Sequence, residues 1–160
     1  MRMLFADIDL LDENLDYRTH QWVGVSDGRI AYLGDAAPEG ADAAAYGEVY
    51  DGRGKLLMPA FYNAHAHAPM TLLRGYAENL PLQSWLNESV FPFEAKITPE
   101  DCYWGTLLSC AEMARYGVVS FSDMYYHMQE GARAAIDAGL KMNVSDTLIA
   151  FGDVGLDELP

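Results

Sequence analysis

Downstream of Met58 the sequence alternates short apolar runs with stretches of helical period, and this alternation constrains the fold more than any other feature. Residues 56–63, 118–123 and 142–149 read as strands. Thr98-Pro99-Glu100-Asp101 opens a helix after the first of them, with Thr98 as N-cap, Pro99 at the first helical position and two acids in the first turn. Trp104, Leu107, Leu108, Ala111 and Ala114 recur at helical spacing and are expected to form its buried face. Gly117 ends that helix as the residue past the cap. A second helix is expected over residues 129–138, closed by Gly139. A strand–helix–strand–helix–strand order predicts the α/β class, with a parallel sheet and right-handed crossovers. The path from the first strand to Thr98 is a long loop punctuated by Pro69, Gly75, Pro81 and Pro92.

Residues 1–57 read differently, as β structure. Trp22, Val23 and Val25 lead into Asp27-Gly28, a strong hairpin signal, and Ile30, Tyr32 and Leu33 lead out. Residues 35–47 are rich in Ala, Gly, Pro and acid and are expected to be an exposed loop. Asp51-Gly52-Arg53-Gly54 marks a second turn. The division therefore falls at 57/58.

Charge removes whole classes of function. Ten basic residues against twenty-four acidic ones leave a net charge of −14. A nucleic-acid partner needs a basic footprint, and an anionic membrane surface attracts one, so neither is expected. No apolar run approaches the ~20 residues that span a bilayer, and Met1 to Asp7 contains no long apolar segment of the signal-peptide kind. Cys102 and Cys110 fall on one predicted helix, about 12 Å apart at its ordinary rise, too far for a disulfide. Two free thiols suit a reducing cytoplasm.

The first strand of the α/β portion runs into His65-Ala66-His67. Side chains two apart on a strand share a face, so the two imidazoles project together and form half of a divalent-metal site. Two strand histidines on a wetted face would look the same in isolation.

The surrounding residues resolve that choice by resemblance. Pro59-Ala60-Phe61-Tyr62-Asn63-Ala64-His65-Ala66-His67 resembles the first barrel strand of the amidohydrolase superfamily. The stretches from Ala68 to Gly75, Leu80 to Leu86, Phe91 to Glu94 and Phe121 to His127 are similar to its S-adenosylhomocysteine/5′-methylthioadenosine deaminase branch and to the related triazine chlorohydrolases. The Asp27–Ala31 turn and Gly54–Pro59 match that branch's N-terminal sandwich. The resemblance implies the first three strands of a (β/α)8 TIM-type barrel, residues 58–160, preceded by part of a small β-sandwich, residues 1–57.

It further implies one divalent metal ion, zinc with iron or manganese as alternatives, held in part by His65 and His67. Trp85 and Glu94 match positions that contact a nucleoside: the indole would cover the ligand, and the carboxylate would accept ribose hydroxyls. His127 matches a histidine near the substrate in some relatives, though a local hydrogen bond would serve as well. Asp123 reads as a backbone tie. At Asp146 relatives usually carry Arg, near the acidic tail of the substrate, and the reversed charge is expected to disfavour a carboxylate there. The remaining metal ligands and the acid/base Glu are expected in a C-terminal part of the barrel that this segment lacks, and His20 and His127 cannot replace them by spacing. The implied activity is hydrolytic deamination of an adenosine-type nucleoside, by a homo-oligomer. The alternatives are hydrolysis of a triazine or other heterocycle, and a non-catalytic truncated fragment stable only by association.

Overall fold

The structure, a computed structural model, describes residues 2–39 and 46–147. It divides into two units, Met1–Pro59 and Ala60–Pro160.

The first unit is a single sheet of β1 (Arg2–Leu11), β2 (Tyr17–Ser26), β3 (Arg29–Gly34), β4 (Glu48–Asp51) and β5 (Leu56–Leu57). The order is β3-β2-β1-β4, with β5 also paired to β1. β1 and β2 are antiparallel, as are β2 and β3, whereas β4 and β5 run parallel to β1. The hairpin forms where Asp27-Gly28 predicts it: both residues adopt positive φ, 52° and 76°, the geometry of a two-residue turn whose twist matches the strands. Leu4, Ile8, Leu10 and Val23 are its buried apolar residues. The β1–β2 register shifts between Phe5 and Ile8 and again between Ile8 and Leu10. One extra residue on β1 is followed by one on β2, so the two shifts compensate and the pairing at Leu10 is back in its original register. Asp7 and His20, at φ of 54° and 56°, are the left-handed residues of these two bulges.

The second unit is mixed α/β. β6 (Phe61–Ala66), β7 (Val118–Tyr125) and β8 (Lys141–Asp146) form a parallel sheet in the order β6-β7-β8. Between β6 and β7 lie a 3₁₀ helix (Ala68–Leu73), α1 (Leu82–Ser84), a π-helical turn (Trp85–Val90), α2 (Phe91–Glu94) and α3 (Pro99–Arg115); α4 (Met128–Ala138) joins β7 to β8. The predicted first strand is interrupted. Leu56 and Leu57 pair with β1, and β6 begins only at Phe61, because Pro59 has no N–H for a ladder. β7 runs to Tyr125, past its predicted end. The predicted ends of the third strand, Leu148 and Ile149, lie outside the described residues, as do 40–45 of the expected loop.

α3 starts as expected, with a full capping box between Thr98 and Asp101. Gly117 and Gly139 both take the left-handed conformation that ends a helix. Its buried face is not the expected one. Trp104 and Leu108 are 55% and 47% exposed, and the buried residues are Cys102, Gly105, Thr106, Ser109 and Cys110. The reason is close approach. A Cβ on Gly105 would stand 2.7 Å from the Pro69 carbonyl oxygen, and Thr71 Oγ1 donates to the Gly105 carbonyl at 2.7 Å. Only small side chains let the 3₁₀ helix lie this near. The core joins Ala68, Cys110, Phe121 and Ala135 in one cluster and Cys102, Tyr125 and Met128 in another. Burial pushes both free thiols up to about 11, so each stays protonated and packs as a small apolar group. Among the described residues no helix is long and apolar enough to cross a membrane.

Candidate active site

β6 ends at Ala66 and delivers His65 on the strand and His67 just beyond it, as the residue preceding the 3₁₀ helix. Their ring centroids are 4.8 Å apart with planes at 82°. His67 Nδ1 lies 2.7 Å from the Met124 carbonyl oxygen. A carbonyl only accepts, so Nδ1 carries the hydrogen, and the neutral ring keeps its lone pair on Nε2. That is the arrangement by which proteins hold a metal-binding imidazole in one tautomer. Two imidazoles side by side, one so oriented, fit a divalent ion such as zinc. Among the described residues no group of three or more His, Cys, Asp or Glu side chains could hold a metal.

Asp123 lies on the neighbouring strand and is buried. Both of its carboxylate oxygens accept the Ala68 N–H, at 3.2 and 3.1 Å, and Oδ1 also accepts the Met124 N–H at 2.8 Å. Ala68 directly follows His67, so this tie anchors the turn that leaves the histidine pair. Burial raises the Asp123 carboxyl, opposed by those N–H donors and by the nearby His67 and His65 rings.

A largely apolar cavity of about 200 Å³ opens beside His67. His67, Trp85, Glu94, Met124, Tyr125 and Tyr126 are among its lining residues. Trp85 begins the π-helical turn and Glu94 closes α2, so the long loop, read from its prolines as irregular, brings a broad aromatic face and a carboxylate to one place. The Tyr125 hydroxyl donates to Glu94 Oε1 at 2.7 Å. Burial, and then that bond, raise the Tyr125 phenol well above its ordinary range, so it remains a donor.

The structure therefore brings together four of the six residues singled out in the sequence: His65 with His67, and His67 with Trp85 and Glu94. His65 joins only through His67 and does not itself line the cavity, and neither of the other two lines it. His127 is exposed, adopts left-handed φ of 52°, and precedes α4 without capping it through its side chain. Asp146 Oδ1 accepts the Met128 N–H at 2.9 Å, capping α4 from β8. Tyr125 escaped the sequence reading. Its partner lies thirty-one positions away, and no local pattern announces such a bond.

Comparison with known proteins agrees with this geometry. The amidohydrolase family profile matches residues 56–156. A 5′-deoxyadenosine deaminase of Methanospirillum hungatei is 50% identical over 105 residues, 66% of this chain and 23% of its own. A 5-methylthioadenosine/S-adenosylhomocysteine deaminase of Acetivibrio thermocellus is 38% identical over 160 residues, 99% of this chain and 37% of its own. Among solved structures, an adenosine deaminase of Xanthomonas campestris with bound zinc superposes with a TM-score of 0.75 at 32% identity, over 88% of this chain and 32% of that one. The chain thus spans about a quarter to two fifths of the length of these relatives, and it belongs to the amidohydrolase family.

Proposed function

We propose that the chain is the N-terminal portion of a metal-dependent aminohydrolase that deaminates an adenosine-type nucleoside. In this reading residues 1–57 supply part of a β-sandwich, and residues 58–160 supply the first three strands of a (β/α)8 barrel whose remaining strands bring the other metal ligands and the proton-transferring Glu. The observation that carries it is the shared cavity: His67, one of the two candidate ligands, faces the same space as Trp85 and Glu94. The relatives' names, all adenosine-type deaminases, support the substrate class.

Each residue has a task in that reaction. His65 and His67 hold the ion, zinc by preference, and Met124 keeps His67 in the ligating tautomer. When bound, such an ion supplies Lewis acidity that makes hydroxide available near neutral pH. The Trp85 face covers a flat heterocycle, and the apolar wall excludes water from it. Glu94 accepts hydroxyl hydrogens and so sets the ring's distance from the histidines. A triazine offers no sugar hydroxyls, so it would leave the Glu94 carboxylate with no hydroxyl of the ligand to accept. This favours the nucleoside over the triazine.

The test uses the complete protein, assayed for ammonia release from adenosine, 5′-deoxyadenosine and methylthioadenosine, with metal content measured in parallel. His65→Ala and His67→Ala are each expected to lower bound metal and abolish turnover. Undiminished metal in the double variant would end the assignment of the pair.

A further inference from the structure

The Glu94 carboxylate stands in a mostly apolar cavity, and among the described residues its one hydrogen-bond donor is Tyr125. Tyr125 is itself rigid. It is 4% exposed, packs with Cys102 and Met128, and takes support from Met70, Ile97, Tyr126 and Met142. Its backbone belongs to the last pair of the β7–β8 ladder, opposite Asp146, and its carbonyl accepts the Thr147 N–H at 3.0 Å. Its ring centroid lies 6.4 Å from that of His67 and 5.1 Å from that of Tyr126. The hydroxyl therefore reaches Glu94 from a body that has no freedom to follow it.

We propose that Tyr125 is a positioning residue for substrate, tying Glu94 Oε1 so that Oε2 remains as the acceptor for a ligand carrying paired hydroxyls of the ribose type. The inference rests on the proposed function and extends it. A carboxylate on a short helix at the edge of an apolar space has several rotamers and pays entropy to settle into one. A buried phenol that donates to one oxygen selects the rotamer in advance. The ligand's hydroxyls then meet an acceptor already in place, which is preorganisation in the usual sense. Tyr125 does not touch the reacting carbon in this scheme. It acts through Glu94, so its removal should weaken hydroxyl recognition and spare the chemical step.

The experiment compares adenosine with 2′,3′-dideoxyadenosine on the complete, metal-loaded protein. In Tyr125→Phe, KM for adenosine is expected to rise about tenfold, the lower end of what losing a hydrogen bond to a charged group costs. kcat should stay within about twofold, and KM for the dideoxy compound should not move. In a Glu94→Ala background Tyr125→Phe should add nothing further. Glu94→Gln keeps an oxygen for Tyr125 but replaces the second acceptor by an amide, and it should lose the same preference for adenosine. Equal changes for the two nucleosides in Tyr125→Phe, or an additive effect on top of Glu94→Ala, would reduce Tyr125 to a packing residue. Loss of the preference in Glu94→Ala with its retention in Tyr125→Phe overturns the Tyr125 role alone. A Glu94→Ala protein that still prefers adenosine overturns both that role and the nucleoside reading of Glu94. A wild-type protein that turns over neither nucleoside overturns the proposed function as well.

Discussion

Asp7 and His20 are two left-handed residues on adjacent strands, and their side chains meet at 2.6 Å. The hydrogen bond to Asp7, and then its charge, raise the His20 pKa above its ordinary 6.5. A group whose pKa is higher when folded lends stability that is complete below the unfolded value and is lost as pH rises through the folded one. Stability of the sheet should thus fall from about pH 6.5 upward, and Asp7→Asn should flatten that slope and return the His20 titration, followed by NMR, toward 6.5. A second residue-scale prediction concerns Asp146. Its carboxylate caps α4, and losing a cap costs about 0.5–2 kcal/mol. Asp146→Arg is expected to lower the denaturation midpoint accordingly, with the ratio of kcat/KM for S-adenosylhomocysteine and methylthioadenosine unchanged. A ratio that moves toward S-adenosylhomocysteine would return Asp146 to the substrate, as its place among the relatives' arginines suggested.

At the scale of elements, the contact between α3 and the 3₁₀ helix decides most. Gly105→Ala sets two effects against each other. Alanine improves helix propensity by up to about 1 kcal/mol, but its Cβ would fall 2.7 Å from the Pro69 oxygen and 3.0 Å from Pro69 Cα, and backbone does not yield cheaply. Overpacking of this kind costs about 1–3 kcal/mol, so net destabilisation by denaturant melts is expected, and because the displaced helix begins right after His67, the proposed role of His67 adds the expectation of weaker metal binding. This contact also shows where sequence is legible. The Asp27-Gly28 turn, the Thr98–Asp101 box and the glycines at 117 and 139 act within a few residues, and their patterns are local. The buried face of α3 is set by what approaches it, so counting large apolar residues at helical spacing selected Trp104 and Leu108, which face outward here. The site divides in the same way. His65 and His67 are read from strand alternation, although β6 ends at Ala66 and His67 lies just past it, and Trp85 and Glu94 from resemblance. The ties from residues 123 to 125 span long sequence separations and leave no mark in any short window. The Asp123 tie to backbone was anticipated in kind, without its partner.

At the scale of the whole molecule, the second unit carries three parallel strands, and among the described residues β6 and β8 each pair on one side only. Phe61, Tyr62 and Val144 of those edge strands are 54%, 72% and 42% exposed. Unpaired edges with apolar side chains seek company. A polypeptide of these 160 residues alone is expected to release no ammonia from any of the nucleosides above, because among its described residues no group of three or more His, Cys, Asp or Glu could hold the metal that the proposed function needs. Deamination by the purified segment, free of longer protein, would contradict that. What the segment does bring ready-made is the end of β7. Asp123 and Tyr125 point their side chains to one face and hold Ala68 and Glu94, while Met124 between them holds His67 through its backbone carbonyl. Met124 is also part of the cavity wall. For directed evolution this makes position 124 unusual: its side chain is open to rewriting by saturation mutagenesis, since the grip on the His67 imidazole is written in main chain and passes to every variant that keeps the strand.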